Sequence, residues 1–84
     1  MSRPASDYLF FDRIEGTADI TNKTYAGYSI RYIFVSNDSE GTMVLTLAGK
    51  DITILAGETW GFPCEIDKFS LDANGGSYRI DIGV

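Results

Sequence analysis

The chain has 84 residues, a formal net charge of −5 and one cysteine. A chain this short supports at most one domain, and a core of that size nets only about 3–5 kcal/mol, so small domains often add disulfides, metals or oligomerisation. The lone Cys64 allows neither an internal disulfide nor a thiolate metal cluster, which leaves assembly as the available supplement.

Met1 to Ser6 lack the apolar core of a signal peptide, and no apolar run approaches a membrane span. The expectation is a chain made in a cytoplasm and kept there or released from it, with no membrane partner. The seven basic residues are scattered from Arg3 to Arg79 against twelve acidic ones. Nucleic acid is therefore not an expected partner, because phosphate neutralisation needs a basic patch.

Histidine is absent from the sequence, which removes the commonest general base, the Ser–His and Cys–His pairings and the imidazole metal ligands. Asp67, Asp72, Asp81, Glu58 and Glu65 have the residue type for carboxylate acid–base work, but nothing in their spacing selects two of them. The chain is expected not to be an enzyme and to carry neither cofactor nor metal.

In chain order, residues 1–12 read as an N-terminal arm and residues 13–84 as a single β domain. The arm holds Tyr8, Leu9, Phe10 and Phe11, four large apolar residues in succession that fit neither strand alternation nor a helical stripe. They have two possible destinations, an open end of the chain's own core or a neighbouring subunit, and they are named as candidate interface residues. From Arg13 onward Thr, Ile, Val, Tyr and Phe alternate with Gly, Asn, Asp and Ser, which predicts about seven short strands near 13–20, 29–36, 42–48, 51–56, 58–62, 67–73 and 77–83. The segment from Thr21 to Gly27 reads as a loop.

In the second of these strands Ile30, Tyr32 and Phe34 share one face by alternation, and Ile33 and Val35 share the other. A strand apolar on both faces calls for cover on both. Asn37-Asp38-Ser39-Glu40-Gly41 concentrates oxygen ligands but lacks the spacing of a calcium loop, and reads as a polar turn. The strongest local signal is the hairpin over 42–55. With Gly49-Lys50 as a two-residue type II′ turn, Leu47 would face Ile52, Thr46 would face Thr53 and Leu45 would face Ile54.

Trp60 and Phe62 flank Gly61 and run into Pro63. They join the candidate interface because large aromatic rings contribute contact area with few rotors. Core packing and a sugar-stacking platform are the other readings for Trp60. Cys64, among apolar neighbours, reads as a packed thiol. A second hairpin is predicted to close the chain, with Phe69 and Leu71 on one arm, Asn74-Gly75-Gly76 at the turn, and Tyr78, Ile80 and Ile82 on the other. Seven such strands define an all-β fold, a small antiparallel β-sandwich or barrel of jelly-roll type.

Val35-Ser36-Asn37-Asp38, then Leu45-Thr46-Leu47-Ala48-Gly49, then Ile52-Thr53-Ile54-Leu55-Ala56-Gly57-Glu58-Thr59-Trp60, resemble a pattern in small all-β virion proteins of tailed bacteriophages and prophages. With the closing hairpin, the resemblance covers roughly half of the chain. It transfers no residue role by position. It implies a non-enzymatic structural subunit, a capsid decoration or head/tail accessory protein, found in the virion after synthesis in the bacterial host cytoplasm. Such a subunit self-associates, for instance as a trimer, and binds a larger virion protein such as a capsid or tail protein. The alternative is a carbohydrate- or receptor-binding module that uses aromatic platforms.

Overall fold

The computed structural model describes residues 10–84, with side chains from Asp12 onward. Its elements are eight strands: β1 (Phe10–Gly16), β2 (Ile20–Thr24), β3 (Ile30–Asn37), β4 (Met43–Leu47), β5 (Lys50–Ile54), β6 (Thr59–Ile66), β7 (Lys68–Asp72) and β8 (Tyr78–Gly83). They form two four-stranded antiparallel sheets, ordered β1-β8-β3-β6 and β2-β7-β4-β5. Only β4 and β5 are chain neighbours within one sheet, and every other connection crosses to the opposite sheet. That is a small β-sandwich of jelly-roll type, as the alternation predicts.

The inner faces meet in an aliphatic core. Ile30, Ile33, Val35, Ile80 and Ile82 come from one sheet, and Met43, Leu45, Leu47, Ile54, Phe69 and Leu71 from the other. Each such side chain, fully buried, contributes about 1.5–3 kcal/mol by leaving water.

The structure corrects the expected hairpin register. Met43 pairs with Ile54, Val44 with Thr53, Leu45 with Ile52, Thr46 with Asp51 and Leu47 with Lys50, so the turn is Ala48-Gly49. Both turn residues are left-handed, with φ of 49° and 77°, as a type I′ turn demands. This turn matches the right-handed twist of the flanking strands and holds even though Ala48 must take a conformation that L-residues disfavour. Because the register moves by two residues in the pair, parity survives, and Leu45, Leu47, Ile52 and Ile54 still share one face.

The predicted closing hairpin does not form, because β7 and β8 belong to different sheets. The Asn-Gly turn is present: Asn74 and Gly75 have φ of 51° and 74°, and the Gly76 N–H donates to the Ala73 carbonyl at 2.8 Å. It makes a corner between the sheets. The Ala73 N–H donates to Asp19 at 2.8 Å and the Tyr78 hydroxyl to the Ala18 carbonyl at 2.7 Å, which ties this corner to the one between β1 and β2. Phe69 and Leu71 meet Tyr78, Ile80 and Ile82 across the core, so two facing sheets satisfy the same apolar pattern that a hairpin would.

Three smaller corrections concern boundaries and faces. The first strand begins at Phe10, inside the expected arm, and residues 20–24 form a strand within the segment read as a loop. The β3–β6 register shifts between Ile30 and Tyr32, with the extra residue on β6, and alternation in β3 breaks there: Ile30 joins Ile33 and Val35 in the core while Tyr32 and Phe34 face outward.

Candidate functional site

β6 is a free edge of its sheet, and Trp60 and Phe62 alternate along it with Gly61 and Pro63. A proline is tolerated there because an edge strand leaves one side of its backbone unpaired. Trp60 lies opposite Val35 and Phe62 opposite Ile33, which puts both rings on the side of the sandwich interior. At the edge that interior is open. Phe62 packs partly buried against the core, whereas Trp60 remains 40% exposed. The two rings meet edge-on at 88°, with centroids 6.4 Å apart, an arrangement the ring quadrupoles favour.

On the other face of the same strand pair, Phe34 lies opposite Gly61 and Tyr32 opposite Pro63. A Cβ built on Gly61 would fall 2.1 Å from the Phe34 ring, so the ring occupies the space a side chain would need. Glycine is required at 61, and the ring in turn covers edge backbone that would otherwise be bare. Tyr32 and Phe34 are nearly parallel, at 14° and 6.4 Å between centroids. Four aromatic rings therefore wrap one edge on both of its faces. Neither Thr59–Cys64 nor Tyr32–Asn37 contains a charged residue, in a chain that is 23% charged. Leu55, also exposed, stands at the corner leading into β6.

The geometry thus brings Trp60 and Phe62 together and adds Phe34, which alternation had placed on one face with Ile30 and Tyr32. The signal that could have found it was Gly61, whose partner across the ladder must fill its space. Tyr8 and Leu9 lie outside the described residues. Phe10 and Phe11 belong to β1, and their side chains also lie outside them.

Several of the remaining polar groups are engaged with one another or with the backbone. Asn37, 1% exposed, has its amide nitrogen within 2.8–3.1 Å of the carbonyls of Gly41, Ile54 and Leu55, while its oxygen accepts from the Ser39 N–H and hydroxyl. Asp38 takes two hydrogen bonds from Arg79, which hold its carboxyl below the usual range. The 37–41 run is a pinned polar turn. Of the five carboxylates of suitable type for catalysis, Glu58 accepts from the Leu55 N–H, Asp72 from the Asn74 N–H, Asp81 pairs with Arg13 and Glu65 with Arg31. Among the described residues no three carboxylate, thiol or imidazole groups converge, so the site residues do not fit a metal ion. The Cys64 thiol reaches the Ile30 carbonyl at 3.5 Å, and burial pushes it up in pKa, away from thiolate reactivity.

Two shallow grooves of about 460 and 510 Å³ involve the outer face of the β2-β7-β4-β5 sheet. Polar groups such as Asn22, Thr46, Asp51 and Ser70 line them, and Trp60 lines neither.

No protein-family model matches the chain, and no curated protein matches it. Solved structures do. A cupin-2 domain-containing protein from Shewanella frigidimarina NCIMB 400 is similar at 18% identity and a TM-score of 0.51, over 83% of this chain and 64% of that one. An RmlC-like cupin from the same organism is similar at 17% identity and a TM-score of 0.52, over 84% of this chain and 63% of that one. The chain spans less than two thirds of the length of either. At this identity the likeness shows the fold alone, a jelly-roll-like β-sandwich.

Proposed function

We propose that this protein is a non-enzymatic structural subunit of a tailed-phage virion, a capsid decoration or head/tail accessory protein that attaches to a larger protein lattice through the aromatic edge of β6. The observation that carries this reading is Trp60. It is the only tryptophan, 40% exposed on the uncharged Thr59–Cys64 stretch of an edge strand, with its ring set against Phe62. A ring already held in place loses little entropy on docking, and such anchors contribute about 2–4 kcal/mol each at an interface. The interior of the sandwich is filled by the apolar side chains of the core, which favours the surface as the place where a partner is met. The resemblance over residues 35–60 supplies the class of partner.

The test is recovery of the protein with virus particles. Particles induced from a strain that carries the gene are banded on a density gradient and probed with an antibody to the chain. The wild-type protein should band with the particles, and Trp60→Ala should leave most of it in the soluble fraction. If the wild-type protein is absent from the particles, the reading fails. If purified protein instead binds immobilised glycans in a Trp60-dependent way, the carbohydrate-binding alternative takes its place.

A further inference from the structure

We infer that Asn74 is a site of spontaneous covalent modification: its side-chain amide is lost to attack by the Gly75 backbone nitrogen, and the isoaspartate that results opens the corner between β7 and β8. The chain has three asparagines, and only Asn74 precedes a glycine, whose missing side chain leaves its nitrogen open to a neighbouring group. Asn37 is excluded by its burial and by the bonds that fix both ends of its amide, and Asp38 follows it. Asn22 precedes Lys23, and its side-chain oxygen accepts from the Ser70 hydroxyl at 3.4 Å. Asn74 and Gly75 are both exposed. Among the described residues neither the Asn74 side chain nor the Gly75 N–H takes part in a hydrogen bond, so both reacting groups are free.

The turn supplies the route. Asn74 and Gly75, both left-handed, are the central residues of a type I′ turn closed by the Gly76 N–H on the Ala73 carbonyl at 2.8 Å. At the first central residue ψ is about +30° in a type I′ turn, which turns the next nitrogen away from the side chain, and about −120° in a type II′ turn, which brings it alongside. Rotation of the single peptide between Asn74 and Gly75 interconverts the two. Glycine at 75 accepts the change in the sign of φ, and beyond its chain neighbours no atom lies within 4 Å of where its Cβ would stand, so the peptide has room to turn. Type II′ turns favour glycine at the first position, so Asn74 visits the rotated form as a minor state, and the folded turn slows the reaction without preventing it.

In the rotated form the Gly75 nitrogen loses its proton to hydroxide and bonds to Asn74 Cγ. The bond from Cγ to Nδ2 breaks, the leaving amide takes a proton from water to become ammonia, and a five-membered succinimide remains. Water then opens the ring, giving aspartate by cleavage at Cγ or isoaspartate by cleavage at the main-chain carbonyl. Overall one water enters, one ammonia leaves, and nothing is oxidised or reduced. Isoaspartate routes the main chain through Cβ and Cγ and lengthens it by one carbon, about 1.5 Å. The corner has no slack to take this up. The Gly76 backbone lies so close to Ser39 that a Cβ would fall 2.5 Å from it, and Ala73 is 1% exposed with its N–H on Asp19 at 2.8 Å.

The reaction needs no partner, so the purified full chain tests it. The protein is held at body temperature for weeks, at neutral and at mildly alkaline pH, then digested for mass spectrometry with fragmentation that separates isoaspartate from aspartate. The peptide spanning Asn74 should gain the mass of one amide-to-acid conversion, mostly as isoaspartate and faster at the higher pH, while peptides holding Asn22 and Asn37 stay intact. Gly75→Ala should slow the conversion, and the same comparison on chains unfolded in urea keeps the test decisive if that variant fails to fold. The converted fraction, isolated by its added negative charge, should unfold at lower urea than the intact protein. Asn74→Asp, with the same charge on an unaltered backbone, should unfold close to the wild type. An Asn74 that survives in the folded protein under conditions that convert it in urea would overturn the inference, as would earlier loss of the amide at Asn22 or Asn37. A converted fraction as stable as the intact protein would overturn the opening of the corner.

Discussion

Asn37 concentrates at one buried position the hydrogen bonding that closes two corners of the sandwich. Its amide reaches the carbonyl of Gly41 in the turn after β3 and those of Ile54 and Leu55 at the end of β5, and its own backbone bonds to Gly57 and Glu58. Removing a donor from buried acceptors costs the desolvation of those acceptors, about 1–3 kcal/mol each when no water replaces it. Asn37→Ala should therefore lower stability in urea unfolding by about 3 kcal/mol, most of the margin of a domain this small. A loss below about 1 kcal/mol would show that water takes over the side chain's bonds. The polar turn at 37–41 was legible from its residue types. The weight on Asn37 was not, because two of its acceptors come from residues 17 and 18 positions further along the chain.

At the scale of the elements, the hairpin between β4 and β5 separates what alternation dictates from what it leaves open. Alternation fixed which side chains of Met43–Leu47 and Lys50–Ile54 face the core, and those assignments hold in the structure. The pairing partners depend instead on which two residues make the turn, and both candidate pairs contain Gly49. Gly-Lys suits a type II′ turn and Ala-Gly a type I′, so glycine alone does not choose between them. The observed turn holds Ala48 at φ 49°, where asparagine is tolerated better than alanine. Ala48→Asn should raise stability by about 0.5–1.5 kcal/mol in urea unfolding. With Gly49-Lys50 as the turn, position 48 would be extended strand, where asparagine is disfavoured, and the same substitution would destabilise.

The same distinction explains the closing segment. Phe69, Leu71, Tyr78, Ile80 and Ile82 do share an apolar environment, as the pattern predicts, but a pattern of period two reports only that side chains point inward. It is silent on whether they point inward from one sheet or from two. Crossing of the core between β7 and β8 follows from the corner bonds to Ala18 and Asp19, more than fifty residues away.

Over the whole molecule, the fold class was readable from strand number and spacing, since the roughly seven short strands the alternation predicts, one fewer than the eight observed, already need two facing sheets to bury one core. Sheet order was not readable, because all but one connection leave the sheet they start from. The candidate site was half readable. Trp60 and Phe62 stood out as aromatics beside a glycine and a proline, whereas Phe34 was hidden because alternation in β3 breaks between Ile30 and Ile33, which leaves Ile30 on the face opposite Phe34.

The proposed attachment puts the partner at the open β6 edge of the sandwich, over Trp60 and Phe62. Hydrogen–deuterium exchange of the free protein, compared with the same protein on gradient-purified particles, tests it most directly, because a docked partner slows amide exchange where it sits. Slowed exchange is expected in peptides covering Thr59–Phe62, with the grooved face around Thr46, Asp51 and Ser70 unchanged. Slowed exchange confined to that grooved face, with Thr59–Phe62 unaffected, would contradict it.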